Sequence, residues 1–439
     1  MSTAARPPAL KPAPAMDGTP PVDPTLGRST EIPGAKDVGR NTIETLIFRG
    51  LSTPVALLLV VIQSRFLEPS GRGQFVLVVL SVTILSRLLG QLGLAVTNRL
   101  QAVPASEVRP LVHRAFAIGA LLGCLGTAAL VGWGAVSPGI GAGTAALAAA
   151  ALVPNVVWQT VSGVLLGQAR VRLWNYIQAL SPLLTLIGML MLVVALDGGV
   201  EAAVGAWTLA HFLTAAFAVA AARDLVVPVD VPPFLDAAGR TILRLAMVMG
   251  AVQVVNLIGY RIELFLLEYY EGVAAVGIYS IAVQAAEALW LIPAAIATAI
   301  TGPAVHEQER EAVRRVSKAA LRAVLYTGIA AGVVGVVAPF LIPLLFGDAF
   351  EGATRPLLFL LPGVVAYGTV TVLVVYISVR RGRPRLALTV SLAGMLATTA
   401  AAVPLIAEYG KTGAAAASAI GYLVGAGLAW AFFARLARS

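Results

Sequence analysis

The feature that most constrains this chain is a series of long apolar stretches separated by short polar breaks. About 20 consecutive apolar residues are enough for a helix to cross a bilayer. Only 12% of the 439 residues are charged, whereas soluble domains carry about 25%. The pattern therefore predicts an all-α polytopic membrane protein with about twelve transmembrane helices. The predicted spans cover residues 42–66, 74–98, 111–135, 144–167, 174–196, 201–222, 240–268, 273–300, 317–346, 353–379, 385–407 and 412–434.

Outside the spans the chain leaves little room for folded domains. The longest connections, 223–240 and 301–316, are too short to fold on their own. Residues 1–40 are rich in Pro, Ala and mixed charge and lack the apolar core of a signal peptide, so a disordered cytoplasmic tail is predicted there. The expected organisation is a tail over 1–40, an N-terminal lobe over 41–222, a cytoplasmic linker over 223–239 and a C-terminal lobe over 240–439.

The basic residues are distributed unevenly between the two sides of the predicted bundle. With the N-terminus in the cytoplasm, the opposite side receives only Arg65, Arg72, Arg355 and Lys411, and most other Lys and Arg residues fall in cytoplasmic connections and tails. This asymmetry follows the positive-inside rule and predicts that both termini are cytoplasmic. It also explains the net charge of +9 without a nucleic-acid partner.

Short sequence matches indicate an internal repeat. GRNTI (39–43) and GRTI (239–242) each open a span, and GQF (73–75) and GIY (277–279) each open the next one. The matches divide the twelve spans into six and six. Repeats of this kind are common in transporters, which bind their substrate between the repeats. We therefore predict two six-helix lobes around a central cavity that is lined by spans 1, 2, 7 and 8.

Arg87 is the most informative charge inside a span. It lies about a dozen residues from either end of span 2, which is roughly 15–18 Å from either surface, too deep for its side chain to reach water. Thr83, Arg87 and Gln91 share one helical face, and a polar face of this kind is costly in lipid. The face is therefore predicted to line the cavity, and the structural alternative for Arg87 is a buried ion pair with Glu287.

Spans 1 and 7 also carry polar residues at helical spacing. Arg49 and Thr53 lie four residues apart in span 1, and Asn256 shares a face of span 7 with Glu263. Arg261 lies about two turns from the predicted outer end of span 7, where it could extend to the surface or pair with another helix. The predicted substrate-binding residues are Arg87, Arg49, Arg261, Gln91, Thr53 and Asn256.

Two carboxylates lie in the same region of the predicted bundle. At 100° per residue, Arg261 and Glu263 point about 200° apart and therefore cannot pair with each other on a regular helix. Glu263 and Glu287 are candidates for coupling a proton or a cation to transport. The alternative for Glu287 is a structural pairing with an arginine.

Five segments resemble the oligosaccharide flippase family, which is related to the multidrug and toxin extrusion transporters. The resemblance extends from about residue 42 to 430, and the sequence departs from the usual pattern at Glu263, where Asp is usual, and at Glu68, where Gly is commoner. The segments are RIELFLLEYYEGVAAVGIYSIA (261–282), SRFLEPSGRGQF (64–75), LIPLLFGDAFEGATRPLLFLLPG (341–363), RGRPR (381–385) and EYGKTGAAAASAIGY (408–422).

The resemblance implies a flippase that moves polyprenyl-diphosphate-linked oligosaccharide from the cytoplasmic to the outer leaflet of the bacterial plasma membrane, for envelope polysaccharide. It also implies a cationic cavity, with Arg87, Arg49 and Arg261 in the matching spans. The expected partners are the lipid-linked oligosaccharide, membrane lipids and a polysaccharide polymerase or chain-length machinery.

Two other functions stay open. A cation-coupled multidrug exporter would share the fold, although such a pump needs carboxylates in its cavity to attract cations. A membrane glycosyltransferase or polymerase is the enzyme alternative, but the predicted outer loops are short and no P-loop or HExxH motif occurs. With a single cysteine, Cys124, a thiolate metal site is not expected. We therefore predict a transporter with no catalytic residues, metal or cofactor.

Overall fold

The computed structural model describes residues 35–100, 103, 105–137, 139–226, 233 and 235–438. Of the predicted tail, residues 1–34 lie outside this range, and residues 35–40 open the first helix. The helices are α1 (Ala35–Leu89), α2 (Leu92–Leu100), α3 (Ala105–Val136), α4 (Ala142–Ala149), α5 (Leu152–Gly167), α6 (Val171–Met189), α7 (Gly199–Ala221), α8 (Arg223–Val226), α9 (Ala237–Gly259), α10 (Ile262–Glu271), α11 (Val273–Ala288), α12 (Leu291–His306), α13 (Glu309–Phe346), α14 (Thr354–Val374) and α15 (Pro384–Arg438).

Three short segments of other helical type connect these elements. Leu190–Ala195 and Val375–Arg380 are π-helical continuations of α6 and α14, and Asp348–Ala353 is a 3₁₀ turn before α14. Within the described ranges, ten helical segments are long and apolar enough to cross a membrane. The prediction of an all-α polytopic membrane protein is confirmed.

Two of the ten segments are long enough for two crossings each. Helix α1 contains a sharp break at Glu68, and α15 contains one at Gly410. Each break has a positive φ angle, so the chain reverses there between two helices. When the halves are counted separately, the ten segments provide the twelve crossings that the apolar pattern predicts.

Several predicted spans are interrupted within their length. Span 2 breaks at Gly90–Gln91, span 4 at Ala150–Ala151, span 7 at Tyr260–Arg261 and span 8 at Leu289–Trp290. The continuous helix that the sequence predicted is therefore wrong in span 7, where Arg261 leaves the helical region of φ and ψ. Spans 2, 4 and 8 remain single membrane-crossing segments with a local irregularity. Face assignments that assume 100° per residue do not hold across these breaks.

The connection between the first two spans is a tight reversal at Glu68. Its backbone lies at φ 57° and ψ 175°, a region that almost only glycine adopts. Pro69 follows as the first residue of the next helical segment, where its missing N–H is not needed. The connection between spans 7 and 8 has the same shape, with Gly272 at φ 82° and ψ 178°.

Replacing Glu68 by Gly is expected to stabilise the protein by about 1 kcal/mol. The strain at Glu68 is of order 1–3 kcal/mol, and the extra backbone entropy of glycine in the unfolded state offsets about 0.5–1 kcal/mol of the gain. Thermal unfolding of the detergent-solubilised protein measures the difference. The converse variant Gly272→Ala should lower the unfolding temperature, and a lower temperature for Glu68→Gly would contradict the strain argument.

The repeat-related glycines Gly73 and Gly277 pack directly against each other. A Cβ atom on Gly73 would lie 1.8 Å from the carbonyl oxygen of Val273, and one on Gly277 would lie 1.9 Å from that of Pro69. Val273 lies four residues before Gly277, and Pro69 lies four residues before Gly73. The two contacts are therefore equivalent by a local twofold axis. The GQF and GIY matches in the sequence therefore mark equivalent positions on either side of this contact.

Side chains support the contact between the two halves at this end of the bundle. Arg65 Nε donates to the carbonyl oxygen of Leu345 (3.1 Å), and Ser137 Oγ donates to Glu268 Oε1 (3.3 Å). We call this end, defined by Arg65–Gly73 and Gly272–Gly277, the sealed end. The opposite end, where α2, α8 and α12 end and α3, α9, α13 and α15 begin, is called the basic end.

Replacing Gly277 by Ala is expected to open the sealed end. The added methyl group would overlap the Pro69 carbonyl, and backbone atoms on both sides cannot yield locally. In a Cys124→Ala background, a cysteine at Ser280, which is 3% exposed, should then react faster with a water-soluble maleimide. Gly302→Ala in α12 is the matched control because open space surrounds that glycine; equal labelling in both variants would contradict the prediction.

At the basic end the start of α9 is fixed to the first half of the chain. Arg114 donates to Asp236 Oδ2 from Nε (3.1 Å) and Nη2 (2.8 Å), while Asp236 Oδ1 caps α9 by accepting from Gly239 N (2.8 Å). The Gly239 N–H, aided by Arg114, holds the pKa of Asp236 below its usual range. Farther along α9, Gly250 lies against the backbone of Leu88, so α9 follows the first half over much of its length. The division into two lobes at 223–239 stays a prediction.

Candidate functional site

The break in span 7 explains how two charges, two residues apart, fit into an apolar stretch. Helix α9 ends at Gly259 and α10 begins at Ile262, with Arg261 at a non-helical φ of −139° between them. The side chains of Arg261 and Glu263 therefore extend from a joint between two helices and not from one continuous helix. Glu263 lies in the first turn of α10, where unpaired backbone N–H groups favour a negative charge.

Arg261 forms a two-pronged ion pair with Glu287 of α11. Nη1 donates to Oε1 at 2.7 Å and Nη2 donates to Oε2 at 2.6 Å, and Nη1 also lies 3.3 Å from the carbonyl oxygen of Tyr260. The two side chains are 22% and 20% exposed, so the pair lies at the edge of the protein interior. The predicted alternative, a pair between Glu287 and Arg87, is wrong because Glu287 pairs with Arg261, and the described residues show no contact between Glu287 and Arg87. The other alternative for Glu287, a structural pairing with an arginine, is confirmed.

Glu263 lies deeper than this pair. It is 1% exposed, and its Oε2 atom has no hydrogen-bond partner among the described residues. The hydroxyl groups of Tyr279 and Ser418 lie near it and 3.5 Å from each other. A buried carboxylate with an unsatisfied oxygen can hold a proton or a cation. Within the described ranges, at Glu263 as at other places, no three His, Cys, Asp or Glu side chains are grouped so as to hold a metal ion.

Four aromatic rings pack beside the ion pair. Tyr260, Trp290, Tyr367 and Tyr422 contact one another in every combination, with ring centroids 5.2–6.2 Å apart. The Tyr260 and Tyr367 hydroxyls are 2.6 Å apart, and Trp290 Nε1 donates to the carbonyl oxygen of Val364 (3.2 Å). Tyr260 and Trp290 lie at the breaks of spans 7 and 8. The cluster therefore fixes the two joints against α14 and α15.

Arg87 lies near the end of α1, beside its crossing with α9. Its neighbour Leu88 contacts Gly250, yet the Arg87 side chain is exposed. No ion pair to Arg87 occurs within the described part of the chain. An exposed guanidinium in the middle of a membrane-crossing segment requires a wet surface, because lipid would not solvate it.

The other predicted binding residues differ from one another in their exposure. Gln91 lies in the break after α1, is 7% exposed and donates to the Arg87 carbonyl oxygen (3.4 Å). Thr53 is exposed on α1. The side chains of Arg49 and Asn256 lie outside the described residues. Substrate binding by these residues stays a prediction, as it does for Arg87 and Arg261.

Sequence reasoning missed two features of this region. The four-ring cluster was missed because its members lie in four separate stretches of sequence, and only the pairing of aromatic residues with helix breaks could have indicated it. Arg72 was assigned to a connection on the side opposite the cytoplasm, and its complete burial between the two halves was not predicted. Its position next to the repeat glycine Gly73 was the available signal.

Solved structures of known transporters share this architecture. A multidrug resistance MATE family transporter of the MOP superfamily, in an inward-facing conformation, is 17% identical, with a TM-score of 0.72, and the match covers 88% of this chain and 94% of that one. The lipid II flippase MurJ, in an inward closed conformation, is 11% identical, with a TM-score of 0.73 and coverage of 89% and 87%.

A third structure differs in its binding pocket. A MOP superfamily transporter from Pyrococcus furiosus, described as having a pocket of reverse polarity that suggests a different function, is 16% identical, with a TM-score of 0.61 and coverage of 91% and 95%. No protein family model matches the sequence, and no curated protein matches it with significance. On the strength of these structural matches, the chain has the fold of the MOP superfamily transporters.

Proposed function

We propose that this protein moves polyprenyl-diphosphate-linked oligosaccharide from the cytoplasmic to the outer leaflet of the bacterial plasma membrane by alternating access. The observation that carries the proposal is Arg87, an exposed guanidinium that pairs with none of the described carboxylates, where the two halves of the chain cross. The flippase-like segments and the fold shared with a lipid II flippase support the same substrate class. The sealed end is then the outer one, and both termini are cytoplasmic.

An arginine suits the chemistry of this substrate. The diphosphate is the part of the molecule that hydrocarbon rejects most strongly, since unpaired anions in a low-dielectric medium cost many kcal/mol. A guanidinium stays charged and offers a planar fork of donors that fits phosphate oxygens. The lipid tail can remain in the bilayer while the head crosses a wet space between the lobes. A membrane potential that is negative inside favours outward movement of the anion by about 2.3 kcal/mol per charge per 100 mV.

Arg261 would take part by exchanging partners. Its two terminal nitrogens hold the Glu287 carboxylate, so a phosphate can bind there only after Glu287 releases the arginine. Protonation of Glu287, or a cation beside it, would favour that release. We therefore assign ion coupling to Glu287 and to the buried Glu263, and substrate contacts to Arg87 first, then to Arg261, Arg49, Gln91, Thr53 and Asn256.

A cation-coupled multidrug exporter is the second candidate. The four-ring cluster beside Glu287 favours it, because aromatic faces and carboxylates bind organic cations. Arg87 argues against it, since a positive charge that no described carboxylate neutralises, at the crossing of the two halves, would repel a cationic drug.

Purified protein in liposomes distinguishes the two candidates. One set of vesicles contains a fluorescent polyprenyl-diphosphate sugar, and its exposure on the opposite leaflet is followed with a membrane-impermeant quencher. A second set measures uptake of a cationic dye driven by a proton or sodium gradient. Protein-dependent movement of the lipid without dye uptake supports the flippase. Dye uptake without movement of the lipid would overturn the proposal.

A further inference from the structure

Arg72 is a fully buried charge at the sealed end. It lies one residue before Gly73 and is 0% exposed. Nη1 donates to Gln63 Oε1 (3.1 Å) and to the carbonyl oxygen of Val60 (3.3 Å), and Nε donates to Ser280 Oγ (3.0 Å). The Ser280 hydroxyl in turn donates to the carbonyl oxygen of Gly277 (2.7 Å). The guanidinium therefore bridges the first half of the chain and α11 of the second half.

The charge of Arg72 has no counter-charge among the described residues. Its three acceptors there are neutral, no described carboxylate pairs with it, and its buried Nη2 atom has no partner in the same part of the chain. A buried charge left unpaired is strongly destabilising, and a donor without an acceptor adds to that cost. Such a group needs an explanation beyond packing.

The fold itself does not need a charge at this position. Gly73 and Gly277 are equivalent across the local twofold axis, so the residue equivalent to Arg72 is Val276. Val276 is also fully buried, and it fills its place with an apolar side chain. The arginine is thus an addition to one half of the sealed interface.

The hydrogen-bond partners of Arg72 belong to both halves of the chain, so the surroundings of its charge would differ between a sealed and an open state. Val60 and Gln63 belong to the same half as Arg72 and would remain in place if the halves separated at this end. Ser280 belongs to the other half and would leave. Opening would therefore expose Nε and the unpartnered Nη2 to the new cleft, as a positive group without a counter-charge.

We propose that Arg72 forms a binding site for a phosphate-type oxyanion that exists only when the sealed end is open. The inference rests on the proposed function for its natural occupant, the diphosphate of the lipid-linked substrate on its way out. An anion that binds only the open state shifts the population towards that state. Arg72 would thus link the arrival of an anionic head group to opening of the outer side.

Pulsed EPR on the purified full-length protein tests this linkage. Spin labels at Ser70→Cys and Tyr269→Cys, on exposed positions of the two halves in a Cys124→Ala background, report the distance across the sealed end. Inorganic pyrophosphate should increase the long-distance population. Arg72→Gln should weaken this response about tenfold in pyrophosphate concentration, a typical coupling between linked sites, and Arg72→Lys should keep part of it.

Two further arms keep the result interpretable. Arg72→Val, which copies Val276, should unfold at a temperature at least as high as the parent protein and remain sealed with pyrophosphate. Nanodiscs with phosphatidylglycerol, without pyrophosphate, show whether lipid headgroup phosphates occupy the site; opening there supports the site and assigns it that source.

An equal pyrophosphate response in the parent protein and in Arg72→Gln, or no response in either, would overturn the inference. The EPR measurement involves no transport of a lipid-linked sugar. If the liposome assay fails while pyrophosphate still opens the sealed end, the proposed function is rejected and the Arg72 site stands. If lipid movement is observed but pyrophosphate does not open the sealed end, the Arg72 site is rejected and the proposed function stands.

Discussion

Replacing Arg87 by Ala should slow movement of the diphosphate-linked lipid about 10- to 100-fold in liposomes, with little change in the amount of folded protein. A hydrogen bond to a charged group contributes about 1.5–3 kcal/mol, and about 1.4 kcal/mol corresponds to a factor of ten. Folding should be spared because Arg87 is exposed and its side chain has no ion-pair partner among the described residues. Initial rates of lipid movement at matched protein density provide the measurement.

Two companion variants make this result specific. Arg87→Lys keeps the charge but loses the planar fork of donors, so it should retain part of the activity. Arg322→Ala removes an exposed arginine of α13 that is not among the predicted substrate residues, and it should leave the rate unchanged. Full activity in Arg87→Ala would remove this residue from the proposed site, whereas equal loss in Arg322→Ala would indicate a general effect of charge.

The sequence predicted the crossings well because their signal is local. Each apolar run of about 20 residues has few alternatives in a bilayer, and tight reversals lie at Glu68, Gly272 and Gly410, between predicted spans. The repeat was also readable, since Gly73 and Gly277 are the residues that allow the two halves to touch. In this case two matching three-residue segments, GQF and GIY, indicated a contact between distant parts of the chain.

The interruptions inside the spans could not be predicted from the same signal. No proline lies near the Tyr260–Arg261 joint, and apolar composition continues through it. That joint depends on tertiary contacts, namely the Arg261–Glu287 pair and the ring cluster around Tyr260. At Leu289–Trp290 a local signal was present, because Pro293 lacks the N–H that would bond the Leu289 carbonyl. A charge within a span indicated a special site, but the partner of that charge depended on the packing of other helices.

The burial of Arg72 was missed for a related reason. A charged residue in a predicted loop is normally solvated, and here the loop is reduced to the single reversal at Glu68, so that Arg72 falls inside the next helical segment. Close contact between the glycines brings the two halves together and covers the side chain. The general lesson is that small residues at a repeat contact should change how their charged neighbours are interpreted.

Breaking the Arg261–Glu287 pair is expected to have the second large effect. Either Arg261→Gln or Glu287→Gln should destabilise the protein by about 1–3 kcal/mol, because each leaves a charged group with its hydrogen bonds unmade. The effect should fall below that of a fully buried pair, since these side chains are about one-fifth exposed. Thermal unfolding in detergent gives the difference.

The double variant Arg261→Met/Glu287→Leu separates the structural role of the pair from its role in transport. Replacing both charges with apolar groups of similar size removes the unpaired charge, so most of the lost stability should return. Lipid movement should nevertheless stay low, because neither the Arg261 guanidinium nor the Glu287 carboxylate remains at the joint. If the double variant recovered both its stability and its transport rate, the pair would serve only to hold α10 against α11, and ion coupling would have to be assigned to Glu263 alone.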